Sequence, residues 1–516
     1  MTSTQFHNPV LHGFYPDPSI CSVGRDFYLV NSTFSYFPGI PIFHSQDLAH
    51  WEQIGNALTD NLQVNLLGND DHEGIYAPSI RYYQGTYYII ADHETQKNHA
   101  GMFIITAKDP RGPWSKPTFI KGADGIDPSL FFDNGKCYFV ATHDNSEGSK
   151  YFGDNEIYLA EIDLETKQFI SKKKPLWRGA LRNVTWPEGP HLYKHGNYYY
   201  LLIAESGTES HHAMTIARSQ SIAGPYEGNP NNPIMTHRFL GENYPVQNVG
   251  HGDFVKSFDG NWYFVCLGSR KFKGYVNTGR ETFIGRVVWE DDWPVLNPGV
   301  GKLEESGVID LPKKEMVKPS SVIDFDQDKF DLRCLFLRNP KKQNYIPQKD
   351  GSITLLGSKN ELSGTESPTF LGIRESSVNS YFSIQMGKAD LEGGQFGIAV
   401  YQNRTHFITF MLKAVHQYFE LVVQKNVDGV VSVIASKQLQ VMPRGLIVRQ
   451  KGDQLMVGIF SEKDGQYEWL QQRVNTQFLS TEVAGGFVGC VVGTYFPNEN
   501  NLGKVQVTKI ETDNCY

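Results

Sequence analysis

The sequence is short of cysteine, has no long apolar run and carries no surplus of positive charge. Each shortage excludes a class of protein. Its 516 residues hold six cysteines, Cys21, Cys137, Cys266, Cys334, Cys490 and Cys515. None stands in a CxxC spacing, which argues against a zinc site and against a disulfide scaffold. They are expected to be mostly buried free thiols in a reducing compartment. No apolar stretch approaches the roughly 20 residues that span a bilayer, so no membrane partner is expected. The first residues, MTSTQFHNPV, have neither the basic nor the apolar region of a secretion signal, and a cytoplasmic location is the expectation. The formal net charge is −8 and the densest basic run is Lys172-Lys173-Lys174. Without a basic stripe, no nucleic-acid partner is expected. HExxH, GxSxG and a glycine-rich phosphate loop are also missing.

What the chain has in plenty is aromatic and turn residues: 26 Tyr, 32 Phe, 49 Gly and 26 Pro. Tyr and Phe suit a pleated, half-buried surface, so the composition leans towards β structure. An internal repeat sharpens this. Five segments share a shape: "DPSICSVGRDFYLV" from Asp17, "APSIRYYQGTYYII" from Ala77, "DPSLFFDNGKCYFV" from Asp127, "EGPHLYKHGNYYYLL" from Glu188 and "GDFVKSFDGNWYFV" from Gly252. A tyrosine falls eleven residues after each start, at Tyr28, Tyr88, Tyr138, Tyr199 and Tyr263. Each segment reads as strand, glycine turn, strand, and a second such pair follows. Four-stranded units repeated radially make a β-propeller, so residues 1–304 are expected to form a five-bladed one. Residues 305–321 read as a linker. From 322 to 516, short strands with frequent turn signals predict an antiparallel β-sandwich. The fold class is therefore all-β.

In a propeller the innermost strands line a central channel. On this alignment the first residues of the repeats are Asp17, Ala77, Asp127, Glu188 and Gly252, and three of them are acids. Asp17, Asp127 and Glu188 are expected to meet at one mouth of the channel. Carboxylates that close raise at least one pKa, which suits a general acid opposite a general base. Neighbouring prolines stiffen the chain that carries them. A carboxylate pair with aromatics nearby points to glycoside hydrolysis. "STFSYFPG" (32–39), Tyr76 and Trp186 offer aromatic faces, while His12, His191 and His251 lie near the acids in sequence.

"FYPDPSI", "GIDPSLFFD" and "WPEGPHLY" resemble the three acid motifs of glycoside hydrolase family 43. "FPGIPIFHSQDLAHWEQIG", "GIYAPSIRY", "YPVQNVGHGD" and "GRETF" resemble its β-xylosidase and α-L-arabinofuranosidase branch, and the region after 322 resembles the C-terminal module of two-domain β-xylosidases. The resemblance implies hydrolysis with inversion, with Asp17 as general base, Glu188 as general acid and Asp127 tuning Glu188. Acid and base carboxyls should then stand about 6.5–9.5 Å apart. His251 and Arg280 match positions that contact the sugar or orient the acids, and Phe34 matches an aromatic lining the pocket. Tyr76 stands where many β-xylosidases have Trp. Phe487, Tyr495 and Phe496 are candidates for an aromatic lent by the second domain. The implied substrate is a xylo- or arabino-oligosaccharide trimmed from its non-reducing end. The alternatives are an α-L-arabinofuranosidase with little xylosidase activity and an inactive, carbohydrate-binding propeller. No cofactor is required and no metal ligands are assigned. A structural divalent cation such as calcium near His251, and a homo-oligomer, both stay open.

Overall fold

The computed structural model describes residues 3–95, 101–181, 184–315, 319–326, 329–460 and 466–514, with the side chains of 471 and 472 excepted. Cys515 lies outside the described residues.

The five hairpin repeats are the inner strand pairs of five successive antiparallel sheets, four of them four-stranded and the third five-stranded. The inner strands are Ser19–Val23, Gly74–Tyr83, Ile126–Asp133, Glu188–His195 and Val246–Lys256. They pack in cyclic order and the last returns to the first, which closes the ring. Each sheet hides apolar side chains against its neighbours, as with Ile90, Leu130 and Phe139 between the second and third blades.

Cross-strand pairing corrects the alignment drawn from the sequence. Ser19 faces Val30, Ser79 faces Ile90, Ser129 faces Val140, His191 faces Leu202 and Asp253 faces Val265. Two residues before each of these stand Asp17, Ala77, Asp127, Gly189 and His251. These are the equivalent positions, and Glu188 and Gly252 each lie one residue away. All five have positive φ, at 52°, 31°, 58°, 58° and 43°. In blades two to five they fall at a register shift, where an extra residue on one strand re-aims a side chain. The slip has two causes. Tyr198, Tyr199 and Tyr200 are consecutive, so an offset to tyrosine is ambiguous in blade four. In blade five Val255 faces Tyr263, which makes that hairpin one residue longer than in blade one, where Cys21 faces Tyr28.

One side chain ties four of the five inner strands together. Asp253, fully buried, accepts hydrogen bonds from Ser19 Oγ at 2.7 Å and the Ile20 N–H at 3.0 Å in blade one. Arg81 of blade two donates to both its oxygens at 2.8 and 3.1 Å. Tyr193 of blade four donates its hydroxyl at 2.5 Å. Burial alone would raise the Asp253 pKa, but Arg81 and His191 outweigh it and hold the carboxyl down at about 2.

The expected linker is partly structure. Ser306–Ile309 pairs antiparallel with Thr4–His7, and Ile309 and Leu311 are buried in the core of the first and fifth blades. Beyond it two sheets form the sandwich, one holding six strands. Within "GGFVGCVVGTYF" only Val491–Tyr495 is a strand, preceded by a loop and a short helix, Thr481–Ala484. The two domains share a seam. Phe336–Leu337 pairs with Tyr36–Phe37 of blade one. Arg338, fully buried, donates to the Asn69 carbonyl at 2.7 Å and to Asp71 at 3.3 Å. One apolar cluster runs from Val30 and Ile80 in the propeller to Phe336 and Ile398 in the sandwich.

Asp253→Ala leaves the Arg81 cation buried without its carboxylate. A loss of about 3–5 kcal/mol is expected, read as a lowered urea midpoint; a loss under about 1 kcal/mol, the level of a surface pair, would show that the network is not structural. Because the folded pKa is depressed, this contribution is complete above the ordinary value of 3.8 and fades as pH falls towards about 2.

Candidate active site

The re-aimed side chains of the inner strands converge at one mouth of the ring. A small pocket of about 70 Å³ is lined by Asp17, Asp127 and Glu188 together with Phe34, Tyr76, His251 and Arg280. All seven residues expected from the sequence are therefore brought together. Glu188 reaches the pocket from the position that Tyr76 holds in blade two and Ile126 in blade three, as their partners Ala204, Asp92 and Thr142 show. So two different ring positions, one residue apart, supply the acids.

The three carboxyls sit in unlike surroundings. Asp17 is 6% exposed. Its Oδ1 accepts from Arg280 Nη1 at 2.9 Å and its Oδ2 from Ser32 Oγ at 2.7 Å. The Ser32 hydroxyl oxygen in turn accepts from the Ala77 N–H at 2.7 Å, which fixes its lone pairs and points its proton at Asp17. Burial pushes the Asp17 pKa up, but Arg280, His251 and the Ser32 bond together bring it below its ordinary value. Glu188 has no such help. Burial, then the charges of Asp127 and Asp17, raise its pKa well above the ordinary value, and Arg280 offsets only part of this. Asp127 is raised by burial and by Asp17, against His251 and the Gly189 N–H that its Oδ2 accepts at 2.9 Å. His251 stands between two acids, its Nδ1 3.9 Å from both Asp17 Oδ1 and Asp127 Oδ2. Its ring also lies where a Cβ on Gly189 would fall, 3.0 Å from that atom. With φ at 58° as well, blade four needs glycine there.

Arg280 is the cation common to all three acids. Its Nη1 also donates to Thr208 Oγ1 at 3.1 Å, and its Nη2 to the Phe487 carbonyl at 3.3 Å. Its Nε is buried with no hydrogen-bond partner among the described residues. Phe487 answers the question of the borrowed aromatic. It comes from the sandwich loop, and its ring stacks on Phe34 with centroids 6.0 Å apart and an interplanar angle of 19°. Tyr495 and Phe496 are instead buried within the sandwich. The small pocket adjoins a larger cavity of about 510 Å³ that shares Thr208, Arg280 and Phe487 and adds Glu209, Asn248, Lys271 and Glu482.

Other expectations fall elsewhere. Trp186 packs against Gly153 and Gly207 and the edge of Phe152, not in the pocket lining. His191 accepts from Arg81 at 2.9 Å below the pocket, and His12 lies beside Arg270. Among the described residues, no group of three or more His, Cys, Asp or Glu is arranged to hold a metal ion. Beside His251, Asp17 Oδ1 already accepts from Arg280.

Sequence reasoning missed Ser32, Thr208 and Asp92. Asp92 is fully buried opposite Tyr76. Burial, Glu94 and Asp127 push its carboxyl up to about 8. Glu94, two residues along the same strand, was a visible neighbour, but the burial and the approach of Asp127 from the next blade are not marked in "IIADHET".

The chain is similar over most of its length to known proteins. The family model described as "Glycosyl hydrolases family 43" matches residues 6–294, and "Beta xylosidase C-terminal Concanavalin A-like domain" matches residues 322–508. A "Xylosidase/arabinosidase" of Butyrivibrio fibrisolvens is 41% identical over 497 residues, covering 95% of each chain. A "Non-reducing end alpha-L-arabinofuranosidase" of Bacteroides ovatus is 35% identical, covering 95% of this chain and 91% of its own. The crystal structure of a xylan beta-1,4-xylosidase from Bacillus halodurans superposes with a TM-score of 0.91 at 29% identity, covering 99% of this chain and 100% of its own.

Proposed function

As the chain belongs to glycosyl hydrolase family 43 and is a glycoside hydrolase, we propose that it releases single β-D-xylopyranosyl and α-L-arabinofuranosyl residues from the non-reducing ends of short oligosaccharides, with inversion. One observation carries the chemistry: two carboxyls at one pocket with pKa values pushed in opposite directions, Asp17 down and Glu188 up. That is the division of labour a single displacement needs. Glu188, still protonated, gives its proton to the glycosidic oxygen as the bond to the anomeric carbon breaks, and the bonding pair leaves on that oxygen. Water attacks the same carbon from the opposite face and loses a proton to Asp17. Solvent then resets both groups. Asp127 acts through Glu188, whose proton its charge helps retain, while the neighbouring Gly189 amide anchors it.

The pocket is small, about 70 Å³, which supports the entry of a chain end only. The sugar released would sit against Phe34, Tyr76 and Phe487, with the leaving group in the larger cavity beside it. Tyr76 donates its hydroxyl to the His72 carbonyl, which anchors the ring at the pocket wall. Relatives named for both xylosidase and arabinosidase action support acceptance of both sugars. Cytoplasmic action on short oligosaccharides belongs to the same proposal. The mechanism asks for no cofactor.

The direct test compares rates on aryl β-xyloside and aryl α-arabinofuranoside and follows the first product by NMR. Release of the opposite anomer from both is expected, and retention would overturn the mechanism. Glu188→Ala is expected to abolish cleavage of alkyl glycosides while sparing much of the rate on activated aryl glycosides; equal losses would remove it as the acid. Arg280→Met withdraws the cation that lowers both pKa values. The residual kcat/KM profile should therefore move to higher pH on both limbs, and an unmoved acidic limb would mean that Asp17 is not the titrating base.

A further inference from the structure

The outer face of the sandwich's six-stranded sheet carries a second cleft, of about 290 Å³, that shares no lining residue with the catalytic pocket or the cavity beside it. The sheet's inner face is core, with Ile408, Phe410, Leu412, Leu421 and Val423 buried. The alternate residues look the other way. Phe407 faces Asn426 across the strands, Asn426 faces Val431, and Thr409 faces Gln424. The pairing thus lays an aromatic, two amides and a hydroxyl side by side in two adjacent rows. The propeller covers one end of this face, where the Tyr401 hydroxyl donates to Asp71 at 2.7 Å. Glu361, Leu362 and Ser363 supply a further wall.

One polar atom of the cleft's lining lacks a partner among the described residues. Asn426 is 2% exposed, and its Oδ1 is buried with no hydrogen bond. A buried acceptor left unmade is costly and native chains keep few of them, so the position is built for something that donates. The rest of the lining narrows what that is. Glu361 sets the charge of the lining, since Lys425 pairs with Ile408 on the core face and holds its Nζ 5.9 Å from the Phe478 ring, and a carboxylate disfavours phosphate-bearing ligands. Amide groups from Gln395, Gln424 and Asn426 both give and accept hydrogen bonds, as vicinal hydroxyls require. Phe407, stacked on Tyr401 at 6.0 Å, supplies an apolar wall for a ring face. The volume lies at the lower edge of small-ligand sites, about 300 Å³, which suits one or two sugar rings.

We propose that this cleft is a second, non-catalytic carbohydrate site that holds one or two neutral sugar units of an oligosaccharide, with a ligand hydroxyl donating to Asn426 Oδ1. The choice of pentose oligosaccharides as ligand rests on the reading of the catalytic pocket given above. A site of this kind would keep substrate chains at the enzyme between cleavages.

The test uses the full chain carrying Glu188→Gln, which silences hydrolysis while leaving the catalytic pocket filled. Calorimetric titration with xylotriose, and in a second arm with arabinotriose, is expected to give two sites per chain for at least one sugar. Adding Asn426→Leu or, separately, the milder Thr409→Val should weaken one site by about tenfold or more, the loss of a hydrogen-bonded group, and leave the other unchanged. With Glu188 intact, the same two substitutions should leave kcat/KM on aryl xyloside within about twofold, well short of the tenfold that 1.4 kcal/mol represents. Asn426→Leu should also not lower Tm, since it removes an unpartnered buried oxygen. A single site per chain with both sugars, or a second site indifferent to both substitutions, overturns the proposal. Hydrolysis of aryl pentosides by the unsubstituted enzyme separates the two readings: activity with one site sinks only the second cleft, and a working cleft without activity sinks only the catalytic reading.

Discussion

A fully buried carboxylate, Asp253, holds the inner ring in register, and the geometry above it follows from that. Its bond to Ser19 links blade five to blade one, and its pair with Arg81 brings in blade two. Ser19 lies two residues after Asp17, and Asp253 lies two residues after His251. The 2.7 Å bond below therefore sets how closely Asp17 and His251 stand above, at 3.9 Å. A charge so buried is costly unless its partners are complete. Here five hydrogen bonds from three blades meet it, and the ring gains a rigid floor for the acids.

On that floor the chemistry is a problem of dividing charge. Three carboxyls share one guanidinium, that of Arg280. The division is unequal by construction. Asp17 takes the direct bond and a serine hydroxyl, Asp127 takes a backbone amide, and Glu188 takes neither. Burial then acts on all three, but only Glu188 must bear it without a donor.

The repeat was legible because its signals are local: a glycine turn, a tyrosine, an alternation of strands. The acids could be found from it even though the alignment slipped by one residue in two blades. Backbone torsion is what the letters do not show. Ala77 has positive φ like Asp17 and Asp127 yet carries no polar group, so the strained position belongs to the blade and not to the reaction. Once it is seen, His251 becomes the fifth blade's counterpart of Asp17, and Glu188 becomes the counterpart of Tyr76. Asp253 stayed hidden because its partners come from distant segments. Phe487 could be narrowed to three aromatics of one stretch but not chosen, since only the seam between domains brings its loop to the pocket.

Chains are made from the N-terminus, and domains tend to fold as they emerge. The propeller's sheets and all three acids are complete before residue 300, whereas the wall that faces Phe34 comes from residue 487. A nascent propeller would hold its acids assembled yet present an unfinished sugar pocket until almost the whole chain has left the ribosome. Catalytic competence is then among the last properties the molecule acquires, and it reports that both domains have folded and docked.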